Sequence, residues 1–254
     1  MNQPVTTPHS PTVVLGVTGS IAAFKSIEIA RLLIQHHIRV LPVLTQSGAR
    51  FVGPVTFTGI CGEASRMDMW DPSFSGELHV ALASQADVVL VAPATADIIA
   101  RFAQGRADDL LTALTLCARG HVIVAPAMHP RMWAHPATQR NVQTLQRDAR
   151  IEWVGPVVGP VANGEIGLGR MAEPQNIVSA VLARLRPPDL NDWHIVVTAG
   201  PTVEDIDPVR FLGNRSTGRM GFSVARRAAA RGARVTLIAG PTELTTPAGV
   251  QRRD

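Results

Sequence analysis

The chain has 254 residues, of which 46% are hydrophobic and 17% charged, and its formal net charge is +4. This length and hydrophobic content argue against a disordered tail and predict one large or two smaller folded domains. The basic residues are scattered along the chain, which disfavours nucleic acid as a partner because nucleic-acid binding usually needs a basic stripe or face.

The two cysteines, Cys61 and Cys117, lack the spacing of a disulfide framework or a zinc site. We interpret both as buried thiols in a reducing compartment, and we predict no metal site. Residues 1–11 are expected to form a flexible polar leader, and no run is long and apolar enough to cross a bilayer. The sequence therefore predicts a cytoplasmic protein without a membrane partner.

Short apolar runs alternate with helical patterns over residues 12–187, beginning with a strand at Thr12–Val17 that ends in Thr18-Gly19-Ser20 and leads into a helix at 21–35. Further runs of strand length lie at 39–45, 88–92, 121–125 and 151–154, with helical stretches at 78–86 and 108–118. Strands that alternate with helices predict parallel βαβ units in an α/β, doubly wound parallel sheet of the Rossmann-like flavodoxin type.

The remaining sequence is expected to contain a flap, a linker and a second domain. Residues 155–169 are rich in Gly and Pro, which is typical of a functional loop. After a helix at Pro174–Leu185 and a linker at 186–188, a strand, helix and strand are predicted at 194–199, 221–231 and 233–239. We interpret residues 188–254 as the first part of a second α/β domain, and we expect it to be truncated because two strands cannot close such a core.

The first two strand ends carry candidate phosphate ligands. Gly19 and Ser20 open a helix, where free N–H groups favour an anion, and the second strand ends in Thr45-Gln46-Ser47. The dinucleotide glycine fingerprint is incomplete here, which weakens an interpretation as an NAD site. These hydroxyl residues are equally consistent with simple helix caps.

The third and fourth strand ends carry small residues where a flat ring can approach the backbone. The third reads A-P-A-T-A-D (Ala92 to Asp97), and the fourth reads P-A-M-H-P-R-M-W (Pro126 to Trp133). Ligands of α/β sheets bind outside the carboxyl ends of the strands, which is where both segments are expected to lie.

Five segments, in order, resemble phosphopantothenoylcysteine decarboxylase. In chain order they are G-V-T-G-S-I-A-A-F-K (Gly16 to Lys25), A-P-A-T-A-D (Ala92 to Asp97), G-R-A-D-D-L-L (Gly105 to Leu111), P-A-M-H-P-R-M-W (Pro126 to Trp133) and G-E-I-G-L-G-R-M-A-E-P (Gly164 to Pro174). The resemblance covers residues 12–185. It implies an FMN-dependent decarboxylation of 4'-phosphopantothenoylcysteine to 4'-phosphopantetheine in coenzyme A biosynthesis. It also implies a homo-oligomer, a trimer or dodecamer, with flavin between subunits.

The same resemblance implies roles for particular residues. FMN contacts are expected at Gly19, Ser20, Ile21, Thr45, Ser47, Pro93, Ala94, Thr95, Ala96, Asp97 and Met128. Substrate contacts are expected at Ala127, His129, Met132, Arg170 and Met171. His79 matches the histidine that acts as a base on the substrate thiol, although a lone histidine is more often a surface or core residue.

Two positions depart from the family pattern. His129 stands where the family usually has asparagine, and Asn163 stands where it usually has cysteine. In the family, that cysteine gives a proton to the enethiolate intermediate. An asparagine amide cannot act as a general acid near neutral pH. We hypothesise that proton delivery has moved to His129 or water.

The segment Thr198 to Gly221 resembles the opening of phosphopantothenate-cysteine ligase. The resemblance implies that Asn214 serves the attack of cysteine on an acyl-cytidylate, that Ser216, Thr217 and Gly218 help hold ligand phosphate, and that a complete domain uses CTP and Mg²⁺. Without the resemblance this segment is an ordinary helix cap with loop glycines. Two alternatives remain for the whole chain: a flavin-binding scaffold or regulatory protein with impaired catalysis, and a peptidyl-cysteine decarboxylase.

Overall fold

The computed structural model describes residues 10–162, 164–185 and 189–254. The chain divides into two compact units, Met1–Leu185 (unit 1) and Arg186–Asp254 (unit 2). Most of the expected leader, residues 1–9, lies outside the described residues, as do Asn163 and the expected linker at 186–188.

In the described part of unit 1, five parallel strands form one sheet in the order β2-β1-β3-β4-β5. The strands are β1 (Thr12–Val17), β2 (Arg39–Leu44), β3 (Val88–Ala94), β4 (His121–Pro126) and β5 (Ile151–Trp153). All six residues of β1 and all seven of β3 are buried, as expected for central strands covered on both faces. The predicted doubly wound parallel fold is confirmed.

Helices cover both faces of this sheet. They are α1 (Phe24–Gln35), α2 (Gln46–Ala49), α3 (Pro54–Cys61), α4 (Leu78–Gln85), α5 (Ala96–Ala103), α6 (Leu110–Cys117), α7 (Pro130–Ala134), α8 (Pro136–Leu145) and α9 (Pro174–Leu185). A 3₁₀ turn at Ile21–Ala23 precedes α1, so the predicted helix over 21–35 begins with a tighter turn.

Alternate residues of each strand enter different cores. Val13 and Leu15 of β1 pack with Ile29 of α1, while Val14 packs on the opposite face with Ile98 of α5. Burying each such aliphatic side chain stabilises the fold by about 1.5–3 kcal/mol. The two cores hold the sheet rigid and leave the carboxyl ends of its strands as the place where loops converge.

The prediction that residues 155–169 form a loop is partly wrong. This segment contains an antiparallel hairpin, β6 (Val157–Pro160) and β7 (Ile166–Arg170). Gly and Pro masked the strands in the sequence because both residues are usually depleted from sheet interiors. A two-stranded ribbon tolerates them because each strand has a free edge.

Unit 2 contains a small parallel sheet and a second hairpin. Within its described residues the elements are β8 (His194–Ala199), β9 (Val203–Asp205), β10 (Phe211–Gly213), α10 (Arg219–Ala230), β11 (Arg234–Ala239) and β12 (Val250–Arg253). The sheet order is β12-β11-β8, and β9 pairs with β10. The prediction of two strands here is therefore wrong, because β12 is a short polar edge strand without an apolar signature.

The structure also bears on the expectations for the cysteines, a membrane span and a metal site. Cys61 is half-buried and Cys117 is exposed, so the prediction that both thiols are buried is wrong. No described helix has the length and apolar character needed to cross a membrane. In the described ranges, no group of three or more His, Cys, Asp or Glu side chains is arranged to hold a metal ion.

Candidate functional site

A cavity of about 850 Å³ lies at the carboxyl ends of the sheet of unit 1. Its lining follows the ends of β1, β2, β3 and β4 in turn, at Thr18–Ser20, Leu44–Ser47, Thr95–Ile98 and Ala127–Met128. A pocket of this size at the strand ends of a doubly wound sheet is the usual place for a cofactor or small-molecule ligand.

Hydroxyl side chains start a turn or helix at three adjacent strand ends. Ser20 Oγ accepts the Ala22 N–H at 3.2 Å, Thr45 Oγ1 accepts the Gly48 N–H at 3.0 Å, and Thr95 Oγ1 accepts the Ile98 N–H at 3.3 Å. The helix-cap interpretation is thus correct for Ser20 and Thr45. The Ser20 hydroxyl still has its own proton to donate, and the Thr45 hydroxyl donates to the Val17 carbonyl at 3.4 Å, a long hydrogen bond that a nearer phosphate oxygen would replace. Because free N–H groups and hydroxyls face one cavity, this donor set fits a phosphate ester.

Close approach of two backbones shapes this end of the cavity. A Cβ built on Gly19 would lie 2.5 Å from Ser47 Cβ, well inside van der Waals contact. Only glycine at this position lets the turn after β1 lie against the segment after β2. The two segments therefore form one continuous cradle.

An ion-pair network borders the cavity on the α5–α6 side. Arg101 donates to Asp108 at 2.6 Å and to Asp109 at 2.7 Å, and only 14% of its side chain is exposed. Burial acts to lower the pKa of Arg101, but the hydrogen bonds with Asp108 and Asp109 outweigh burial and leave that pKa above its usual value. The bond from Arg101 in turn lowers the pKa of Asp108.

The network also fixes the start of α6. Asp109 Oδ1 accepts the Thr112 N–H at 2.8 Å, and Thr112 Oγ1 accepts the Asp109 N–H at 3.1 Å, which completes a capping box. This box places Leu110 and Leu111 in the cavity wall. No role was predicted from the sequence for the segment Gly105 to Leu111. The sequence Asp-Leu-Leu-Thr at its end has the pattern of a helix cap, and this pattern predicts that the segment positions the start of α6.

A second part of the wall was missed entirely. Met67, Asp68, Met69 and Trp70 line the cavity from the segment between α3 and α4, and Trp70 is 79% exposed. This segment has no strand or helix pattern and no motif, so only the folded chain reveals that it reaches the strand ends.

Most predicted ligand-binding residues come together in this cavity. Lining residues from the prediction are Gly19, Ser20, Thr45, Ser47, Thr95, Ala96, Asp97, Ala127, Met128 and Met132. Outside the lining are Ile21, Pro93, Ala94, His129, Arg170 and Met171. Ile21 is exposed on the surface and Met171 is buried in the core, while Arg170 pairs with Glu173 at 2.6 Å.

The three predicted catalytic residues are placed differently. His79 is half-buried in the first turn of α4 and does not line the cavity of its own chain. His129 caps α7 immediately after the lining residue Met128, and its Nε2 lies 3.1 Å from Glu165 Oε2. Asn163 is outside the described residues.

Unit 2 has its own cavity of about 500 Å³ at the ends of β8 and β11. Ser216, Thr217 and Gly218 line it, whereas Asn214 lies outside that lining. Asn214 Nδ2 donates to Thr202 Oγ1 at 3.0 Å, and its Oδ1 accepts the Ser216 N–H at 3.0 Å. Asn214 thus holds together the loop that borders this cavity.

Comparison with known families assigns both units. Residues 2–186 match the family described as Flavoprotein. The chain belongs to the flavoprotein family. Residues 190–254 match the DNA/pantothenate metabolism flavoprotein C-terminal domain.

Curated relatives of this flavoprotein are longer than the chain. The Coenzyme A biosynthesis bifunctional protein CoaBC of Mycobacterium tuberculosis is 49% identical over 247 residues, which are 94% of this chain and 58% of that protein. The protein of the same name from Haemophilus influenzae is 45% identical over 94% of this chain and 60% of its own length. The chain thus spans about three fifths of the curated relatives that it matches.

Two solved structures are similar to about two thirds of this flavoprotein. A PPC decarboxylase mutant complexed with pantothenoylaminoethenethiol is 30% identical, with a TM-score of 0.61 over 68% of this chain and 97% of that chain. The FMN-dependent cysteine decarboxylase SpaF is 31% identical, with a TM-score of 0.59 over 70% and 98%. These neighbours agree with the parallel fold of unit 1.

Proposed function

We propose that unit 1 binds FMN and decarboxylates 4'-phosphopantothenoylcysteine to 4'-phosphopantetheine in coenzyme A biosynthesis. The observation that carries the proposal is the cavity at four successive strand ends, in which hydroxyls and helix-starting N–H groups meet beside small residues. Similarity to the bifunctional coenzyme A biosynthesis protein and to a PPC decarboxylase supports the same substrate.

The cradle fits the phosphate of FMN by its chemistry. Ser20, Thr45 and Ser47 supply hydroxyls, and Gly19 lets the backbone come close enough for N–H donation. The described part of the lining has Arg101 as its one Lys or Arg, and its charge is already shared between Asp108 and Asp109. The phosphate would therefore be held by hydroxyl and N–H donors. Small side chains at Thr95 and Ala96 leave room for a flat ring.

When bound, the flavin supplies the electron sink that lets an unactivated carboxylate leave the cysteinyl group. The residues of the chain are left with binding, orientation and proton handling. Ala127, Met128 and Met132 line the side of the cavity nearest to α7, where we place the substrate. Arg170 ends β7 and is also assigned to substrate contact, whereas Met171 is buried in the core and is not kept in that role.

We assign the base that acts on the substrate thiol to His79. An imidazole does this near neutral pH without a large pKa shift. Since His79 lies on α4, outside the cavity lining of its own chain, we propose that it serves the cavity of another copy in a homo-oligomer, a trimer or a dodecamer.

Proton delivery to the substrate is assigned to His129 or water, because Asn163 has no acidic proton near neutral pH. Unit 2 is proposed to be the first part of a phosphopantothenate-cysteine ligase domain that uses CTP and Mg²⁺ in the complete protein. The match of residues 190–254 to the pantothenate-metabolism domain supports it and favours a coenzyme A precursor over a peptide as the substrate of unit 1.

The test is an absorbance spectrum of the purified chain, followed by anaerobic addition of 4'-phosphopantothenoylcysteine. The expected result is a flavin spectrum that bleaches on addition and recovers as product forms. A preparation that takes up no FMN would contradict the cofactor. Flavin that never bleaches would favour the scaffold alternative, and turnover only with a peptide that ends in cysteine would favour the peptidyl alternative.

His79→Asn provides the matched control, since it keeps a polar side chain of similar reach without a titratable nitrogen. The flavin spectrum should persist while turnover is lost. Mixing His79→Asn with a variant that cannot hold flavin, such as Gly19→Val, should restore part of the activity if the histidine acts on another copy.

A further inference from the structure

A carboxylate on the hairpin meets the imidazole at the start of α7. Glu165 follows the hairpin turn, just before β7, and its Oε2 lies 3.1 Å from His129 Nε2. The same oxygen accepts from Arg131 Nη2 at 3.2 Å. About a third of each of the His129 and Glu165 side chains is exposed, so water only partly screens the contact.

The hydrogen bond at the second ring nitrogen of His129 distinguishes between the two tautomers of the neutral ring. His129 Nδ1 accepts the main-chain N–H of Arg131 at 3.3 Å, which is the cap of α7. A ring nitrogen that accepts a hydrogen bond carries no proton, so in the neutral imidazole this contact favours a proton on Nε2, which Glu165 accepts. Both contacts of His129 therefore favour the Nε2–H tautomer of the neutral ring.

The hairpin is seated closely enough to keep this contact in register. A Cβ on Gly167 would lie 2.7 Å from Pro130 Cγ, and a Cβ on Gly169 would lie 2.4 Å from the Met128 carbonyl oxygen. The Met128 N–H also donates to the Gly169 carbonyl at 3.0 Å. β7 thus lies directly against the residues that flank His129.

We infer that Glu165 is a positioning residue for His129. It acts together with the Arg131 N–H to favour the Nε2–H tautomer, it fixes the orientation of the imidazole, and it ties that orientation to the seated position of the hairpin. The inference rests on the role proposed for His129 beside the substrate. An asparagine at position 129 presents an amide of fixed polarity, whereas an imidazole has two tautomers and needs a partner to select one.

The first experiment reads the tautomer directly, without flavin or activity. In protein labelled with ¹⁵N-histidine, the two ring nitrogens of a neutral histidine have different chemical shifts, and His129→Asn identifies the signals by their absence. At about pH 8, where an unperturbed histidine is neutral, the unmodified protein should show the Nε2–H form. Glu165→Gln should keep it because the amide oxygen still accepts. Glu165→Ala leaves only the long 3.3 Å contact from the Arg131 N–H to favour that tautomer, so part of the population should shift to the Nδ1–H form.

The matched control is Glu63→Gln. Glu63 has a similar exposure to Glu165 and pairs with Arg39 at 2.6 Å, at the end of β2 remote from the cavity. It should leave the His129 signals unchanged. An unaltered Nε2–H tautomer in Glu165→Ala overturns the inference.

The second experiment measures turnover of 4'-phosphopantothenoylcysteine by the flavin-loaded chain. Glu165→Ala should lower kcat/KM at least about tenfold, the loss expected for one charge-assisted hydrogen bond, and Glu165→Gln should recover most of it. In a His129→Asn background, Glu165→Ala should cost little more, because the two residues act as one unit. Independent, additive losses in the double variant overturn the inference, whereas failure of the unmodified protein to turn over counts against the proposed function and leaves the tautomer result standing.

Discussion

The hydroxyl of Thr18 donates a 2.7 Å hydrogen bond to the main-chain carbonyl of Pro93. The Thr95 N–H donates to the same hydroxyl at 3.3 Å, and Thr18 is only 2% exposed. One buried side chain at the end of β1 thus ties together both sides of the turn that follows β3. Two of the strand ends that form the cavity are held in register by this contact.

Thr18→Val should destabilise unit 1 by about 1–3 kcal/mol, because it removes the hydroxyl without changing the shape and leaves the Pro93 carbonyl buried without that donor. Urea unfolding monitored by circular dichroism measures the loss, and Thr18→Ser serves as the control because it keeps the donor. Equal stability of the Val variant and the unmodified protein would show that the hydroxyl has no role in holding the strand ends.

Gly19→Ala should weaken FMN binding by about tenfold or more, since the new Cβ would lie 2.5 Å from Ser47 Cβ and must force the cradle apart. Isothermal titration with FMN measures the change. Gly59→Ala is the matched control: Gly59 lies within α3, a Cβ there meets nothing within 4 Å, and alanine favours a helix by up to about 1 kcal/mol. If both variants bind FMN equally, the cradle is not at Gly19.

Ser47→Ala tests whether the cradle holds a phosphate. Ser47 lines the cavity within α2, beside the turn after β1. Its loss should lower the affinity for FMN by about tenfold, the value of one hydrogen bond to a charged group, while the affinity for riboflavin, which has no phosphate, should stay the same. An equal loss for both ligands would place the phosphate elsewhere.

β1 and β3 were predictable because each is a short, continuously apolar run, as burial on both faces requires. The hairpin was not, because Gly167 and Gly169 are in β7 for a tertiary reason: only glycine lets that strand lie against Pro130 and Met128. A local pattern carries no trace of a contact formed between residues about 40 positions apart.

Some residues of the candidate site could be predicted from the sequence, and others could not. Residues directly after a strand, such as Ser20 and Thr95, could be placed in the cavity from their position alone, since the carboxyl ends of parallel strands share one edge. Trp70 and Asp68 could not, because a segment without secondary-structure signals reaches the cavity only through the packing of the whole unit.

The two cysteines should differ sharply in reactivity. Burial, with a smaller effect from the nearby Glu63 carboxylate, raises the pKa of Cys61 to about 11, whereas Cys117 is exposed. Since the thiolate is the nucleophile, iodoacetamide at about pH 8 should modify Cys117 first.

In Cys117→Ser, the rate of modification at Cys61 should keep rising as the pH increases toward about 11, and Glu63→Gln should raise this rate at a given pH because a repelling charge is removed. The sign for stability follows: in the unfolded chain Cys61 ionises at its ordinary, lower pKa, so the folded state loses stability as the pH rises from that value toward the raised one. Mass spectrometry of the alkylated peptides gives both rates, and modification of Cys61 ahead of Cys117 at about pH 8 would contradict the burial that the structure assigns to it.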